Sequence, residues 1–137
     1  MRSKIRDATR ADLPLIHEMA REYHALYAPA WPLNPAGFFE MLMDSNQGYL
    51  RIAGRGFLGG IITDHPLSQG WRVANELLWW ADGQGLSLAN DFRKWAKAQE
   101  ARQIRWSCPP GAERVVRFMS RHGECDEVAF LEDLRCA

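Results

Sequence analysis

A strongly apolar segment that runs straight into a glycine-containing turn constrains this chain more than any other feature. Residues 73–80 end in two leucines and two tryptophans, a density of apolar side chains that predicts a largely buried β-strand. The turn at residues 82–85 reads Asp-Gly-Gln-Gly, and residues 86–101 then carry apolar side chains at helical spacing. Residues 104–108 read as a further strand. The sequence therefore predicts a strand-helix-strand unit in its second half.

The first half of the chain indicates two helices followed by a β-hairpin. Thr9 and Asp12 have the spacing of a capping box, and the apolar residues that follow predict a helix of about four turns. Asn34-Pro35 is typical of a helix start, and we expect a second, shorter helix from there to about residue 44. Residues 49–53 and 57–63 read as strands joined by a tight turn, and residues 64–70 as a loop.

The end of the chain adds one helix and one strand to this pattern. Residues 112–122 predict a fourth helix closed by Gly123, and residues 128–131 a last strand. Residues 3–8 read as a short extended start, so the element order is β-α-α-β-β-β-α-β-α-β. Hairpins in the first half and a crossover in the second predict an α+β (mixed α/β) fold whose central sheet is mixed. No repeat or long linker divides the chain, so we expect residues 1–137 to form a single domain.

Charge and composition exclude several classes of function. The 17 basic and 17 acidic side chains balance, and no Lys/Arg cluster stands out, which argues against nucleic acid as a partner. No apolar run reaches the roughly 18 to 20 residues that cross a bilayer, so we expect no membrane partner and a cytoplasmic location. The three cysteines form no CxxC pair, and His17 and His24 lack a third ligand at metal spacing. We therefore expect reduced thiols and no metal.

The turn at residues 82–85 is the most informative place for chemistry. At a helix N-terminus the first backbone N–H groups have no partner within the helix, and glycine lets a ligand approach the backbone closely. A phosphate group is the natural ligand for such a turn. The alternative is that Gly83 and Gly85 serve only as turn residues of an unrelated small α+β domain.

Two stretches of sequence resemble the GCN5-related N-acetyltransferase (GNAT) family. The segment from Glu76 through Gly83-Gln84-Gly85 to Ala101 is similar to the family's fourth strand, the G-x-G end of its phosphate loop and the helix after it, including a Trp-Ala-Lys sequence. Residues 118–123 are similar to its later L/F-Y-x-x-x-G motif. The resemblance implies a sheet splayed between the fourth and fifth strands, acetyl-CoA as co-substrate, and transfer of an acetyl group to a primary amine by direct attack.

The same resemblance implies roles for individual residues. Backbone N–H groups of the fourth strand would bind the pantetheine arm, and those of the turn and first helical turn the diphosphate: Leu78, Trp79 and Trp80 for the arm, and Gly83, Gln84, Gly85, Leu86 and Ser87 for the diphosphate. Glu76 would serve as general base or would position a water molecule. Met119 stands where the family has a tyrosine that protonates the departing thiolate, which leaves Ser120 or water for that step.

Two further residues are candidates for contact with the acceptor. Trp31 lies in the connection between the first two helices, which in the resembled family overlies the acceptor site. His65 lies in the predicted loop before the fourth strand, and loops often carry function. The acceptor is expected to be an amine on a small molecule or a protein, and a homodimer is compatible with the sequence.

A second hypothesis keeps the fold but not the chemistry. The loop before Gly83 is shorter than the family pattern, and Met119 has no proton to donate. A catalytically inactive binding or interaction protein with the GNAT fold is therefore the alternative to an enzyme.

Overall fold

The structure is a computed structural model that describes residues 2–27, 32–108 and 112–123. By its internal contacts the chain divides into two compact units, residues 1–107 and residues 108–137, which are described separately. The predicted single domain is not tested by this division. Trp31, Cys125, Cys136 and the predicted last strand at residues 128–131 lie outside the described residues.

A five-stranded mixed sheet forms the centre of the first unit. Its strands are β1 (Arg6–Asp7), β2 (Gly48–Ile52), β3 (Gly56–His65), β4 (Ser68–Ala81) and β5 (Gln103–Arg105), in spatial order β1-β2-β3-β4-β5. The first four pair antiparallel, and β5 joins β4 in parallel. The predicted α+β fold with a mixed sheet, antiparallel early and parallel after the crossover helix, is confirmed.

Helices cover both faces of the sheet. On one face, α1 (Leu13–Tyr27) and α2 (Phe38–Asp44) bury Ile16, Met19, Phe39 and Leu42 against apolar residues of β2 and β3. On the other face, α3 (Gly85–Ala98) buries Leu88, Ala89, Phe92 and Ala96. Because side chains alternate along a strand, β4 sends Leu78 and Trp80 toward α1 and α2, and Trp79 and Ala81 toward α3.

A pair of glycines at the middle of β3 lets the helices approach the sheet from both sides. A Cβ atom on Gly60 would lie 2.6 Å from the Phe92 ring of α3, and one on Gly59 would lie 2.9 Å from the Leu42 side chain of α2. The β3–β4 register also shifts here, because Gly59 pairs with Leu78 and Gly60 with Glu76. Leu77 is the extra residue of a β-bulge in β4.

The start of α1 follows the sequence prediction. Asp12 accepts a hydrogen bond from the Thr9 backbone N–H at 2.8 Å, as the capping box requires, and a 3₁₀ turn at Arg10–Asp12 leads into the helix. The Asp12 carboxylate also binds the Arg6 guanidinium, at 2.7 Å. These contacts hold the pKa of Asp12 well below its ordinary value.

Two predicted boundaries are wrong. The second helix begins at Phe38 and not at Asn34-Pro35, because the Phe38 N–H bonds the Pro35 carbonyl to close a turn and Gly37 adopts a left-handed φ of 73°. The predicted loop at residues 64–70 is mostly strand, since β3 and β4 pair as far as His65 and Ser68 around a tight turn. No described helix is long and apolar enough to cross a membrane.

The described part of the second unit contains α4 (Glu113–His122), which confirms the predicted fourth helix. Gly123 follows it in an extended conformation, and its N–H bonds the Met119 carbonyl. The Ser120 hydroxyl donates to the Val116 carbonyl one turn earlier, at 2.8 Å.

Candidate active site

The sheet is open where β4 and β5 diverge. Only Val73, Ala74 and Asn75 of β4 pair with β5. From Glu76 to Ala81, β4 has β3 on one side and, among the described residues, no strand on the other. Backbone N–H and C=O groups on that edge can therefore accept an extended ligand in place of a strand. We call this region, from Glu76 to Ala81, the fork, and it confirms the expected splay.

Glu76 lies at the apex of the fork and is buried. Its side chain is 6% exposed, and it is the buried charged residue of the described core. Burial disfavours the carboxylate and raises the pKa of Glu76 to about 8, although a hydrogen bond from the Ser107 backbone N–H opposes the rise. A carboxyl group with this pKa exchanges its proton near neutral pH, as a general base must.

The turn after β4 presents a row of backbone donors. Gly83 adopts a φ of 116°, which glycine permits and other residues rarely adopt. Within the described part of the chain, no acceptor pairs with the backbone N–H groups of residues 83–87, whereas the Asp82 N–H bonds the Arg55 carbonyl at 2.9 Å. These N–H groups surround the N-terminus of α3, so they fit a diphosphate in number and polarity. The exposed Asp82 carboxylate opposes that fit in charge.

The Gln84 side chain binds the N-terminal segment of the chain. Its amide oxygen accepts the Ser3 backbone N–H at 2.8 Å, and its amide nitrogen donates to the Ser3 carbonyl at 2.9 Å. Both polar ends of the side chain are thus occupied by the N-terminal segment. Only the backbone N–H of Gln84 faces no described acceptor, so only that part of Gln84 is available for a phosphate.

The end of β4 is fixed to α1 and to the β2–β3 turn. The Trp80 indole N–H donates to the Glu22 carboxylate at 3.2 Å, and Glu22 also binds the Arg55 guanidinium. Arg55 lies in the hairpin turn, where its carbonyl accepts the Asp82 N–H. No local sequence pattern predicts this network, because its members are 33 and 58 residues apart.

The structure brings some of the predicted site residues together and leaves others apart. Glu76, Leu78, Trp79 and Trp80 lie along the fork, and residues 83–87 follow directly at its end. His65 lies at the other end of β4, paired with Ser68, and its Nδ1 accepts the Leu67 N–H at 3.1 Å. Met119 and Ser120 belong to the second unit.

A separate cavity of about 610 Å³ lies on the helical face of α1 and α2. It is lined by residues of α1 and of residues 33–40, and by none of β4 or α3. Glu40 contributes a buried Oε2 atom that has no hydrogen-bond partner among the described residues. The described residues contain no group of three His, Cys, Asp or Glu side chains placed to hold a metal ion.

Comparison with known proteins identifies the fold. No family model and no curated protein sequence matches this chain. Among solved structures, a transcriptional regulator from Bacillus halodurans C-125 is 20% identical at a TM-score of 0.72, covering 96% of this chain and 98% of that one. A ribosomal-protein-alanine N-acetyltransferase from Brucella melitensis biovar Abortus 2308 is 13% identical at a TM-score of 0.74, covering 96% and 97%.

A third structure, AAC(6')-Iy in complex with the bisubstrate analog CoA-S-monomethyl-acetylneamine, is 14% identical at a TM-score of 0.72, covering 97% of this chain and 98% of that one. Near-complete coverage of both chains means that the similarity extends over the whole architecture. With its strand order and its diverging fourth and fifth strands, the chain therefore has the fold of the GCN5-related N-acetyltransferase superfamily.

Proposed function

We propose that this protein is an acetyl-CoA-dependent N-acetyltransferase that acts on a primary amine. The observation that carries the proposal is the fork itself: an open edge of β4, a buried carboxyl group at its apex and, at its end, N–H groups with no acceptor among the described residues. These three features are the parts that binding a thioester and activating an amine require. Similarity to solved acetyltransferases of the same fold supports the reaction class.

The fork and the turn that follows it would bind two different parts of the co-substrate. Along the edge of β4, the backbone N–H of Trp79 would donate to the pantetheine arm, as a neighbouring strand does. Leu78 and Trp80 stand in hydrogen-bonded pairs with β3, so their N–H groups point away from the open edge. Residues 83–87 would hold the diphosphate through their backbone N–H groups and the positive end of α3. The solved structure of AAC(6')-Iy with a CoA-containing analog has the same fold.

Glu76 would accept the proton that the amine must lose. An amine is protonated near neutral pH, and only its neutral form attacks a carbonyl carbon. With its pKa raised to about 8, Glu76 can take that proton directly or through one water molecule. Bound acetyl-CoA supplies the acetyl thioester, and one N–C bond forms as one C–S bond breaks.

The departing thiolate needs a proton, and water is the better candidate for its source. Met119 carries no acidic proton, and the Ser120 hydroxyl already donates to the Val116 carbonyl. A thiol has an ordinary pKa near 8.5, so its anion leaves without a dedicated acid more readily than an alkoxide would. Ser120 would have to give up its helical hydrogen bond to take part.

The acceptor is proposed to be an amine on a small molecule or a protein. The similar solved structures include an aminoglycoside acetyltransferase and a ribosomal-protein-alanine N-acetyltransferase, which span both classes. Contact of the acceptor with Trp31 or His65, a cytoplasmic location and a homodimer stay predictions. His65 lies about eight residues along β4 from the position of Glu76, or roughly 26 Å.

Titration calorimetry with acetyl-CoA, followed by a free-thiol assay with a panel of primary amines, tests the proposal. We expect micromolar binding and release of CoA thiol that depends on the amine, with no release for tertiary amines of matched size. Binding without release for any amine would favour the inactive GNAT-fold binding protein. Absence of binding at millimolar acetyl-CoA would overturn the proposed function.

A further inference from the structure

The N-terminal segment is fastened to the loop that precedes α3. The Gln84 side chain forms hydrogen bonds with both backbone polar groups of Ser3, at 2.8 Å and 2.9 Å. The Ser3 hydroxyl also lies next to Gly54 in the β2–β3 turn, 3.0 Å from where a Cβ atom on that glycine would be. Residues 2–4 are therefore held at the end of the sheet where β4 gives way to α3.

This attachment places two cationic residues beside the loop whose N–H groups have no acceptor among the described residues. Arg2 and Lys4 flank Ser3, both are exposed, and neither forms an ion pair with a described carboxylate. The row of donors at residues 83–87 begins one residue before Gln84. The Cα atoms of Arg2 and Lys4 are each about 3.8 Å from that of Ser3, which Gln84 binds directly. Charges on these side chains act on an anion at the loop over a Debye length of about 10 Å at 0.1 M salt.

The loop itself lacks positive charge. Asp82 adds an exposed carboxylate beside the donors, and Arg55, whose carbonyl the Asp82 N–H contacts, has its guanidinium engaged by Glu18 and Glu22. Backbone N–H groups alone would have to bind a diphosphate against the charge of Asp82. Arg2 and Lys4 add two positive charges, which outweigh the single negative charge of Asp82.

We propose that the segment Arg2–Lys4 is part of the diphosphate-binding site and that Gln84 is the positioning residue that holds it there. The inference rests on the proposed function for the identity of the ligand. It assigns to Gln84 a side-chain role distinct from direct contact with phosphate, and to Arg2 and Lys4 an electrostatic role toward the ligand.

The test is calorimetric binding of CoA, of pantetheine, which lacks the phosphates, and of inorganic pyrophosphate. We expect the double variant R2Q/K4Q to weaken CoA binding by about three- to tenfold at low salt and by little at 0.5 M salt. Pantetheine binding should not change. The charge-preserving pair R2K/K4R should bind CoA as the wild type does. Lys97→Gln is the control, about 18 Å away along α3 from Gly85.

The positioning role of Gln84 has its own readout. Gln84→Ala removes both side-chain hydrogen bonds to Ser3 and keeps the backbone N–H of residue 84. The Gln84 side chain makes no capping hydrogen bond, so its loss should not disturb α3. We expect Gln84→Ala to weaken CoA binding about as much as R2Q/K4Q does. Combining Gln84→Ala with R2Q/K4Q should weaken CoA binding little further, because both changes remove the same positive charge from the site.

Each outcome separates the inference from the proposed function. Unchanged CoA binding by R2Q/K4Q, or an equal loss for pantetheine, would overturn the inference and leave the proposed function standing. A wild type that binds pyrophosphate but not CoA, with the loss in R2Q/K4Q, would keep the inference and overturn the proposed function. A wild type that binds neither would overturn both.

Discussion

The two halves of β4 differ in how their edges are used. Residues 73–75 have β3 on one side and β5 on the other, and Val73 and Ala74 are buried. Residues 76–81 pair with β3 and with no other described strand, and Leu78, Trp79, Trp80 and Ala81 are only half-buried. An unpaired edge is normally a liability that proteins cover or shorten. Its position beside a buried carboxyl group supports the proposal that the co-substrate binds along this edge.

The boundary between the halves falls between two adjacent polar residues. The Asn75 amide nitrogen lies within hydrogen-bond distance of the Thr63 hydroxyl at 2.9 Å and of the Ile61 and Val73 carbonyls at 3.2 Å. Glu76, one residue later, is more deeply buried and accepts the Ser107 N–H. The Asn75 amide therefore has its hydrogen-bond partners within the sheet, whereas burial disfavours the charged carboxylate of Glu76. This comparison predicts that substitution of Glu76 lowers turnover, whereas substitution of Asn75 lowers the free energy of unfolding.

The largest effect is expected for Glu76→Gln on turnover. The amide keeps the shape of the side chain but cannot accept a proton, so kcat for amine acetylation should fall by about 10²- to 10⁴-fold. The dissociation constant of acetyl-CoA should change by less than about threefold. The wild-type rate should rise with pH through about 8 as Glu76 ionises, and the variant should lack this rise.

Steady-state kinetics from pH 6 to 9.5 check this prediction, with Glu100→Gln as an exposed control. A variant that keeps wild-type kcat would show that Glu76 is not the base. Loss of acetyl-CoA binding in place of turnover would show that Glu76 shapes the fork.

Glu76 should also make the stability of the fold depend on pH. Its pKa is raised from an ordinary 4.5 to about 8, so the folded state binds more protons than the unfolded state between these values. The stabilisation is complete below pH 4.5 and is lost as pH rises through 8, by up to about 5 kcal/mol. Urea unfolding at a series of pH values should show this decline in the wild type and not in Glu76→Gln. Parallel curves for the two proteins would contradict the assignment.

A third prediction concerns the loop at the end of the open half. Gly85→Asp places a carboxylate in the first turn of α3, where it favours the helix dipole but repels a diphosphate. Space allows the side chain, because a Cβ atom there would meet its neighbours at 3.5 Å or more. We expect CoA binding to weaken about a hundredfold while thermal stability is unchanged or slightly higher. Gly85→Asn, of the same size without the charge, should weaken binding far less, and equal losses would point to a steric cause.

Much of the fold was predictable because burial leaves a local periodic signal. The buried face of α3 consists of the residues that its spacing indicates, with Leu88, Ala89, Phe92 and Ala96 buried. The end of α3 was not predictable in the same way. The helix stops at Ala98, and Glu100 takes the left-handed φ of 62° that glycine usually supplies, with the Ala101 N–H bonded to the Ala96 carbonyl. No residue type marks that end.

The candidate site was predictable in part. Glu76 and residues 83–87 could be predicted as site residues, because the strand, turn and helix that carry them are consecutive in sequence. The contacts of the Gln84 side chain join residues 81 positions apart, and the Glu76 carboxyl group accepts the N–H of Ser107, which is far from it in sequence. The hairpin pairing of His65 with Ser68 likewise depends on how far β3 and β4 extend together. Such long-range partners are decided by tertiary packing, which leaves no local pattern.

The smallest effect is expected in the paired half, for Asn75→Ala. Removing the amide leaves the Thr63 hydroxyl and the Ile61 and Val73 carbonyls without this donor, which should cost about 1 to 2 kcal/mol of unfolding free energy. Acetyl-CoA affinity and kcat per folded molecule should stay within about twofold, because these contacts lie on the side of β4 that faces β3. Thr63→Val, which removes one acceptor and leaves the amide two others, should cost less. Urea unfolding and steady-state kinetics measured on the same samples check both. If Asn75→Ala reduced kcat as strongly as Glu76→Gln, the two halves of β4 would act as one unit, and the division of the strand into a structural half and a ligand-binding half would fail.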